Sequence, residues 1–446
     1  MRAIEFMERQ ILLELEKWSY NSQRLPLLLR GARQVGKTFT IEQLAALRFR
    51  QFVNINFELE PHYCECFQSL KPVDIINTMQ AISRLQITPG NTLLFLDEIQ
   101  NCPRAIMALR YFKEQMPDLH VIGAGSLLEF ALHDENFSMP VGRVQFIYLK
   151  PLSFQEFLLA LGFSDLIAAI KETTLNMPLP EPLHQKLLML TRDYMITGGM
   201  PAVVQAYLQN RDFLQTQRLQ TAILATYRND FGKYARFAQH KYLQKVFNTA
   251  PGMIGQQIKY THLDSEMRSR DLKQAVENLR MAGIIHPIHA TTANGLALSA
   301  LMNEKKFKWL FLDVGLLVRS TSITANELLK ENIHLINRGA IAEQLAGQEL
   351  LAYQDFYQEP QLYFWHREER GSLAEVDFVT NLNSQIVPIE VKSGNKGQRK
   401  SLQIFLAEKK IPLAVRISQL PLHLHQNILS IPFYLISELK RLIGRI

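Results

Sequence analysis

The segment Gly31-Ala32-Arg33-Gln34-Val35-Gly36-Lys37-Thr38 follows the apolar run Leu25-Pro26-Leu27-Leu28-Leu29 and opens a stretch with helical patterning. A buried strand, a turn bracketed by two glycines and a helix start, in that order, leave few folds open. The glycines let the backbone curl around a phosphate, and successive N–H groups at the helix N-terminus point at the anion. Lys37 is expected to reach the β- and γ-phosphates of a nucleotide, and Thr38 to hold Mg²⁺.

The second half of such a site is Thr92-Leu93-Leu94-Phe95-Leu96-Asp97-Glu98-Ile99, an apolar run that closes on two carboxylates. Asp97 has the position of an aspartate that holds Mg²⁺ through water, and Glu98 that of a base polarising a water for attack on the γ-phosphate. His120-Val121-Ile122-Gly123-Ala124-Gly125-Ser126 reads as another buried strand. Ser126 has two readings, a γ-phosphate sensor at the strand tip or the N-cap of the helix that follows. Arg143 stands before the strand-like Val144-Gln145-Phe146-Ile147-Tyr148-Leu149. Its planar, permanent charge suits the transition state of phosphoryl transfer, and a surface ion pair is the alternative.

These blocks, with Pro151-Leu152-Ser153-Phe154-Gln155-Glu156-Phe157 after them, resemble an AAA+ ATPase of the prokaryotic type that carries an uncharacterised C-terminal domain. The resemblance continues through Gly198-Gly199-Met200-Pro201, Leu312-Asp313-Val314-Gly315-Leu316 and Arg338-Gly339-Ala340-Ile341-Ala342-Glu343, and covers most of the chain. It implies an α/β nucleotide domain over 1–150 with ATP and Mg²⁺ as cofactors, a helical lid over 151–240, a winged-helix unit over 241–325 and a restriction-endonuclease-like α/β domain over 326–446. It also implies a homo-oligomeric ring, a hexamer being one such size, in which Arg143 completes a neighbour's active site.

Composition narrows the setting. A chain of 446 residues is long enough for about three domains with cores of their own. No apolar run approaches the length of a membrane span and the N-terminus has no signal-peptide pattern, so no membrane partner is expected. Three cysteines argue against a disulfide framework, and no zinc set completes Cys64, Cys66 and Cys102. Reduced thiols in a cytoplasm are the expectation. A net charge of +7 favours polyanion partners, with DNA the candidate. Some of the basic residues cluster in three segments: Arg268, Arg270, Lys273 and Arg280; Lys305, Lys306 and Lys308; Lys392, Lys396, Arg399 and Lys400.

After the nucleotide domain, helical patterns run through 153–170 and 184–230, interrupted at Pro178, Pro180 and Pro182. Arg228 and Asp230 are placed near the domain junction by the resemblance. Residues 270–283 form an amphipathic helix closed by a glycine, and a strand, an Asn294-Gly295 hairpin turn and a return strand over 305–312 follow. This is the outline of a winged helix, a unit that enters a major groove or docks proteins.

The last segment holds a second candidate site. Glu343 lies in an amphipathic helix, Asp377 in a strand paired through the turn Arg370-Gly371-Ser372, and Glu390 and Lys392 on one face of the strand Ile386–Lys392, since alternate strand residues point the same way. Asp377 and Glu390 could share a divalent cation, Mg²⁺ or Mn²⁺, with Lys392 positioning the attacking water. The set resembles the restriction-endonuclease-like core at Glu343, Asp377, Glu390 and Lys392, although Val376 stands where a proline often precedes the aspartate. Two functions follow from different classes: an ATPase coupled to DNA binding or metal-dependent DNA cleavage, or an ATP-driven oligomeric switch whose C-terminal core only docks. Trp365 and Arg367 flank the set, with stacking or phosphate binding on one reading and packing and surface charge on the other.

Overall fold

The computed structural model describes residues 7–132, 142–234, 239–321, 338–367, 374–393 and 400–445. The turn at Arg370-Gly371-Ser372, and Lys396 and Arg399 of the third basic segment, lie outside them.

The first sheet contains β1 (Leu27–Arg30), β2 (Gln51–Asn56), β3 (Thr92–Asp97), β4 (His120–Ala124) and β5 (Gln145–Tyr148), all parallel in the order β2-β3-β4-β1-β5. Parallel neighbours need crossovers, and the helices Lys37–Arg48, Pro72–Ser83 and Pro103–Gln115 supply them. Covered on both faces, β3 and β4 are buried at every position, which is why their sequences read as unbroken apolar runs. The order brings the carboxyl ends of β1, β3 and β4 side by side, the edge at which open α/β sheets bind ligands.

Helices Phe154–Ala160, Ser164–Glu172, Glu181–Thr197, Pro201–Asn210 and Phe213–Asn229 follow. Ser153 caps the first through a reciprocal pair with Glu156. Gly198 ends the third at φ 73°, where an added Cβ would lie 2.1 Å from Asp313 Oδ1. The glycine thus lets Asp313 accept the Gly199 N–H at 2.6 Å.

The second sheet has eight strands: β6 (Ile285–Thr291), β7 (Met302–Phe311), β8 (Tyr363–His366), β9 (Glu375–Leu382), β10 (Gln385–Val391), β11 (Ala414–Ser418), β12 (His423–His425) and β13 (Ile428–Pro432). Their order is β12-β13-β11-β10-β9-β8-β6-β7. The hairpin β6–β7 joins the C-terminal strands because β6 runs parallel to β8, His289 opposite Tyr363. The connection within this hairpin is longer than the Asn294-Gly295 signal implies. Thr291 pairs with Met302, a 3₁₀ turn fills Leu298–Leu301, and the positive φ falls on Ala293 instead.

One apolar cluster runs from Ile11 and Leu29 through Phe157 and Tyr194 to Phe311, Ile389 and Leu439, so both sheets and the helices between them share a core.

The cysteine expectation is corrected. The 3₁₀ helix Pro61–Phe67 packs beside the start of the Pro103–Gln115 helix and brings Cys64 and Cys102 to a Cα separation of 5.7 Å, where they form a disulfide; Cys66 is a buried free thiol. Among the described residues no helix is long and apolar enough to cross a membrane.

Candidate nucleotide site and C-terminal carboxylate cluster

The loop Gly31–Thr38 bends back at the end of β1. Gly31 has φ 153°, with an added Cβ 2.4 Å from the Leu149 carbonyl oxygen, and Gly36 has φ 95° at the N-cap of the next helix. Neither position suits a side chain. Gln34 adopts a left-handed φ of 62° between them. Ala32 and Val35 are buried, so the loop is packed from beneath.

Lys37 is buried, and its Nζ donates to Gly31 O at 3.0 Å and Ala32 O at 2.9 Å. Burial lowers its pKa to about 8, against the pull of Glu98 and Asp97. Thr38 Oγ1 donates to Asp97 Oδ2 at 3.0 Å. A hydroxyl and a carboxylate meeting at one point are donors that suit Mg²⁺. Burial raises the Asp97 pKa, with the Thr38 hydrogen bond opposing. Glu98, in a left-handed conformation at φ 47°, accepts from Gln100 Nε2 at 2.6 Å and from Ser126 Oγ at 3.3 Å. A non-glycine residue held there carries backbone strain of a kind that gathers at functional sites.

Ser126 therefore lies between Glu98 and Arg33, whose Nε donates to Ser126 Oγ at 3.1 Å. The helix after it is the short Leu128–Leu132. Arg33 also bonds Asp230 Oδ2 at 2.5 Å, and Tyr227 Oη donates to Arg33 O at 2.6 Å. Loop, strand tip and the end of helix Phe213–Asn229 are thus joined through one guanidinium. Arg228, beside them in sequence, turns to Phe247 and Asn248.

Arg143 sits elsewhere. The pairing of Leu27 with Gln145 and Arg30 with Tyr148 puts the start of β5 at the edge of the sheet opposite the loop. There Arg143, half exposed, pairs with Glu114 at 3.1 Å. It is not brought to the nucleotide loop of its own chain.

Two residues beneath the loop carry no motif. Arg9 is buried; its Nη1 donates to Val35 O at 3.0 Å, its Nη2 to Lys150 O at 2.6 Å, and its Nε to Glu156 Oε1 at 3.1 Å. Asn56, at the tip of β2, donates to Asp97 Oδ2 at 3.2 Å. An arginine with an i,i+147 partner has no local signal, whereas Asn56 is legible only once β2 is known to lie beside β3.

The C-terminal candidates gather on the second sheet. Glu343 comes from helix Arg338–Ala352, Asp377 from β9 and Glu390 from β10. Lys308 of β7 enters the same cluster, although its sequence neighbours place it in a basic surface segment. It is 1% exposed, its Nζ lies 3.3 Å from Glu343 Oε1 and pairs with Glu375, and it sits 5.2 Å from the Phe364 ring centre. Burial alone would lower its pKa, but Glu343, Glu375 and Asp377 outweigh that and hold it above the usual lysine range. Burial, with Asp377 beside it, pushes Glu343 up to about 7, and burial raises Asp377 as well. Asp377 Oδ2 accepts the Val391 N–H at 2.7 Å, and Lys392 pairs with Glu390 at 2.6 Å.

The arrangement does not show the cation expected between Asp377 and Glu390. Among the described residues no group of three or more His, Cys, Asp and Glu is disposed to hold a metal ion. Asp377 Oδ2 is engaged by a backbone N–H, Glu390 Oε1 by Lys392, and Glu343 Oε1 by Lys308. Trp365 packs edge-on against Phe405, and Arg367 pairs with Glu408 at 2.6 Å.

A five-stranded parallel sheet with the loop after β1 and the carboxylates after β3 defines a P-loop ATPase domain, and residues 23–158 match the family model described as AAA domain. Residues 189–327 and 338–434 match two models described as domains of unknown function, DUF8612 and DUF4143. Among solved structures the chain is similar to the Walker-type ATPase of Pyrococcus abyssi, with 16% identity, 72% of this chain and 97% of that one covered, and a TM-score of 0.47. It is also similar to the Aeropyrum pernix ORC2 protein, with 12% identity, 72% and 94% covered, and a TM-score of 0.36. For the Thermotoga maritima RuvB Holliday junction branch migration motor the values are 16%, 63%, 89% and 0.30. Curated proteins yield no match.

Proposed function

We propose that the chain is an ATP-hydrolysing switch that passes the state of its nucleotide loop to the helical and C-terminal parts of the molecule, with DNA as the partner. The observation that carries this reading is Arg33, which holds Ser126 on one side and Asp230 on the other. A γ-phosphate arriving beside Ser126 competes for that guanidinium, so hydrolysis alters the pull on Asp230.

In this reading Lys37 and the loop amides bind the phosphates, and Glu98 takes the proton of the attacking water. Thr38 and Asp97 would hold Mg²⁺, which would supply charge neutralisation at the phosphates. Gln100 and Ser126 orient Glu98, while Asn56 orients Asp97. Arg143, remote from its own loop, completes the site of the neighbouring subunit in a homo-oligomer.

Helices His240–Thr249, Tyr260–Leu263 and Ser269–Met281 before the hairpin β6–β7 have the order of a winged helix. Arg268, Arg270 and Lys273 are exposed on the third of them. Arg270 and Lys273 share a cleft of about 930 Å³ with Ala32 and Ser126, so DNA on that helix would lie within reach of the nucleotide loop. Helix Arg338–Ala352, strands β8 to β10, helix Lys400–Lys409 and β11 follow the order of a restriction-endonuclease-like core. We assign that core a docking role, since Lys308 and Lys392 already pair with three of its carboxylates.

ATP turnover with and without duplex DNA tests the proposal. DNA should raise turnover in the wild type, while Asp230→Asn should bind nucleotide within a few-fold of wild type yet lose the response. An equally DNA-responsive Asp230→Asn would refute the relay, and a wild type that neither binds DNA nor responds to it would refute the partner.

A further inference from the structure

The geometry points to Lys308 as the resident cation of the C-terminal carboxylate cluster: an ammonium tethered on β7 holds Glu343 and Glu375 and supplies the positive charge that this core would otherwise take from a divalent ion, and the core as folded does not load one.

Four features support this. Lys308 Nζ meets oxygens of Glu343 and Glu375 while fully enclosed, and such paired carboxylates compensate the hydration that a buried ammonium loses. The face of Phe364 offers it a further favourable surface. Two further acceptors of the cluster are occupied: Glu375 Oε2 takes a hydrogen bond from Gln257 Nε2 at 3.1 Å, and Asp377 Oδ2 takes the Val391 N–H. The backbone is also shaped to the pair: an added Cβ at Gly255, where φ is 78°, would lie 2.7 Å from Glu343 Oε2. A divalent ion entering the cluster would have to expel the ammonium or sit against it. The same contacts tie the hairpin β6–β7 to helix Arg338–Ala352 by charge as well as by packing.

The test uses the full chain carrying Lys37→Ala and Asp97→Ala, which removes the metal site of the nucleotide domain. Mn²⁺ is titrated in and read by the melting temperature and by the loss of the free-ion electron paramagnetic resonance signal. With Lys308 present, neither readout should change. Lys308→Met in the same background should gain a Mn²⁺-dependent rise in melting temperature of several degrees, and Asp377→Asn should abolish it. Should Lys308→Met fail to fold, Lys308→Met combined with Glu343→Gln, which removes one charge of each sign, carries the same comparison. Asp377-dependent Mn²⁺ binding with Lys308 in place would overturn the inference, as would a folded Lys308 variant that gains none.

Discussion

Lys37 is the residue at which nucleotide binding and protonation meet. In the protein alone its ammonium is enclosed with only carbonyl partners, and burial lowers its pKa to about 8. Phosphate oxygens favour the charged form, so binding raises that pKa. The sign follows: above pH 8 the free protein holds the neutral amine and must take up a proton to bind, so affinity falls as pH rises, whereas below that value binding is nearly proton-neutral. Isothermal titration at pH 7 and pH 9, in buffers of different ionisation enthalpy, is expected to show uptake only at the higher pH. Equal, negligible uptake at both would mean that Lys37 is charged throughout. Arg9 shows a different logic. Its three nitrogens are spent on Val35, Lys150 and Glu156, so it stiffens the loop without touching substrate.

At the scale of elements, what was legible in the sequence follows from distance along the chain. The strand, loop and helix of the nucleotide site are contiguous, and their periodicities reflect burial on both faces. The helix ending near Gly283 and the strands carrying Asp377 and Glu390 were equally readable, because alternation and glycine caps are local signals. Lys308 was misplaced because a basic run looks solvated until β7 is known to lie at the edge of a sheet beside helix Arg338–Ala352. The Cys64–Cys102 pairing was hidden for the same reason, its partners being 38 residues apart on elements whose contact no local pattern announces. Because Arg143 stands at the opposite sheet edge from its own loop, any part it takes in hydrolysis must be played on a neighbour. Inactive Arg143→Ala and inactive Lys37→Ala chains, once mixed, should recover part of the ATPase activity. Demonstrated co-assembly without recovery would rule against action between subunits.

Across the whole molecule, the nucleotide domain is not an appendage. Helix Arg338–Ala352 and the segment after it bond directly to the end of that domain: Glu349 accepts the Phe154 N–H at 3.1 Å, and Phe356 O accepts the Tyr148 N–H at 2.9 Å. With the shared apolar core, these contacts join the nucleotide domain physically to the C-terminal sheet. In the proposed relay, nucleotide state passes from the loop through Arg33 and Asp230. Hydrogen–deuterium exchange of Glu98→Gln, with and without ATP and Mg²⁺, measures this directly, because the variant should bind ATP without consuming it. Altered exchange is expected in helix Phe213–Asn229 and in the hairpin β6–β7 as well as in the loop, with the distant changes lost when Arg33→Ala is added. Changes confined to Gly31–Thr38 and its immediate neighbours, with the distant elements identical in both states, would contradict the relay.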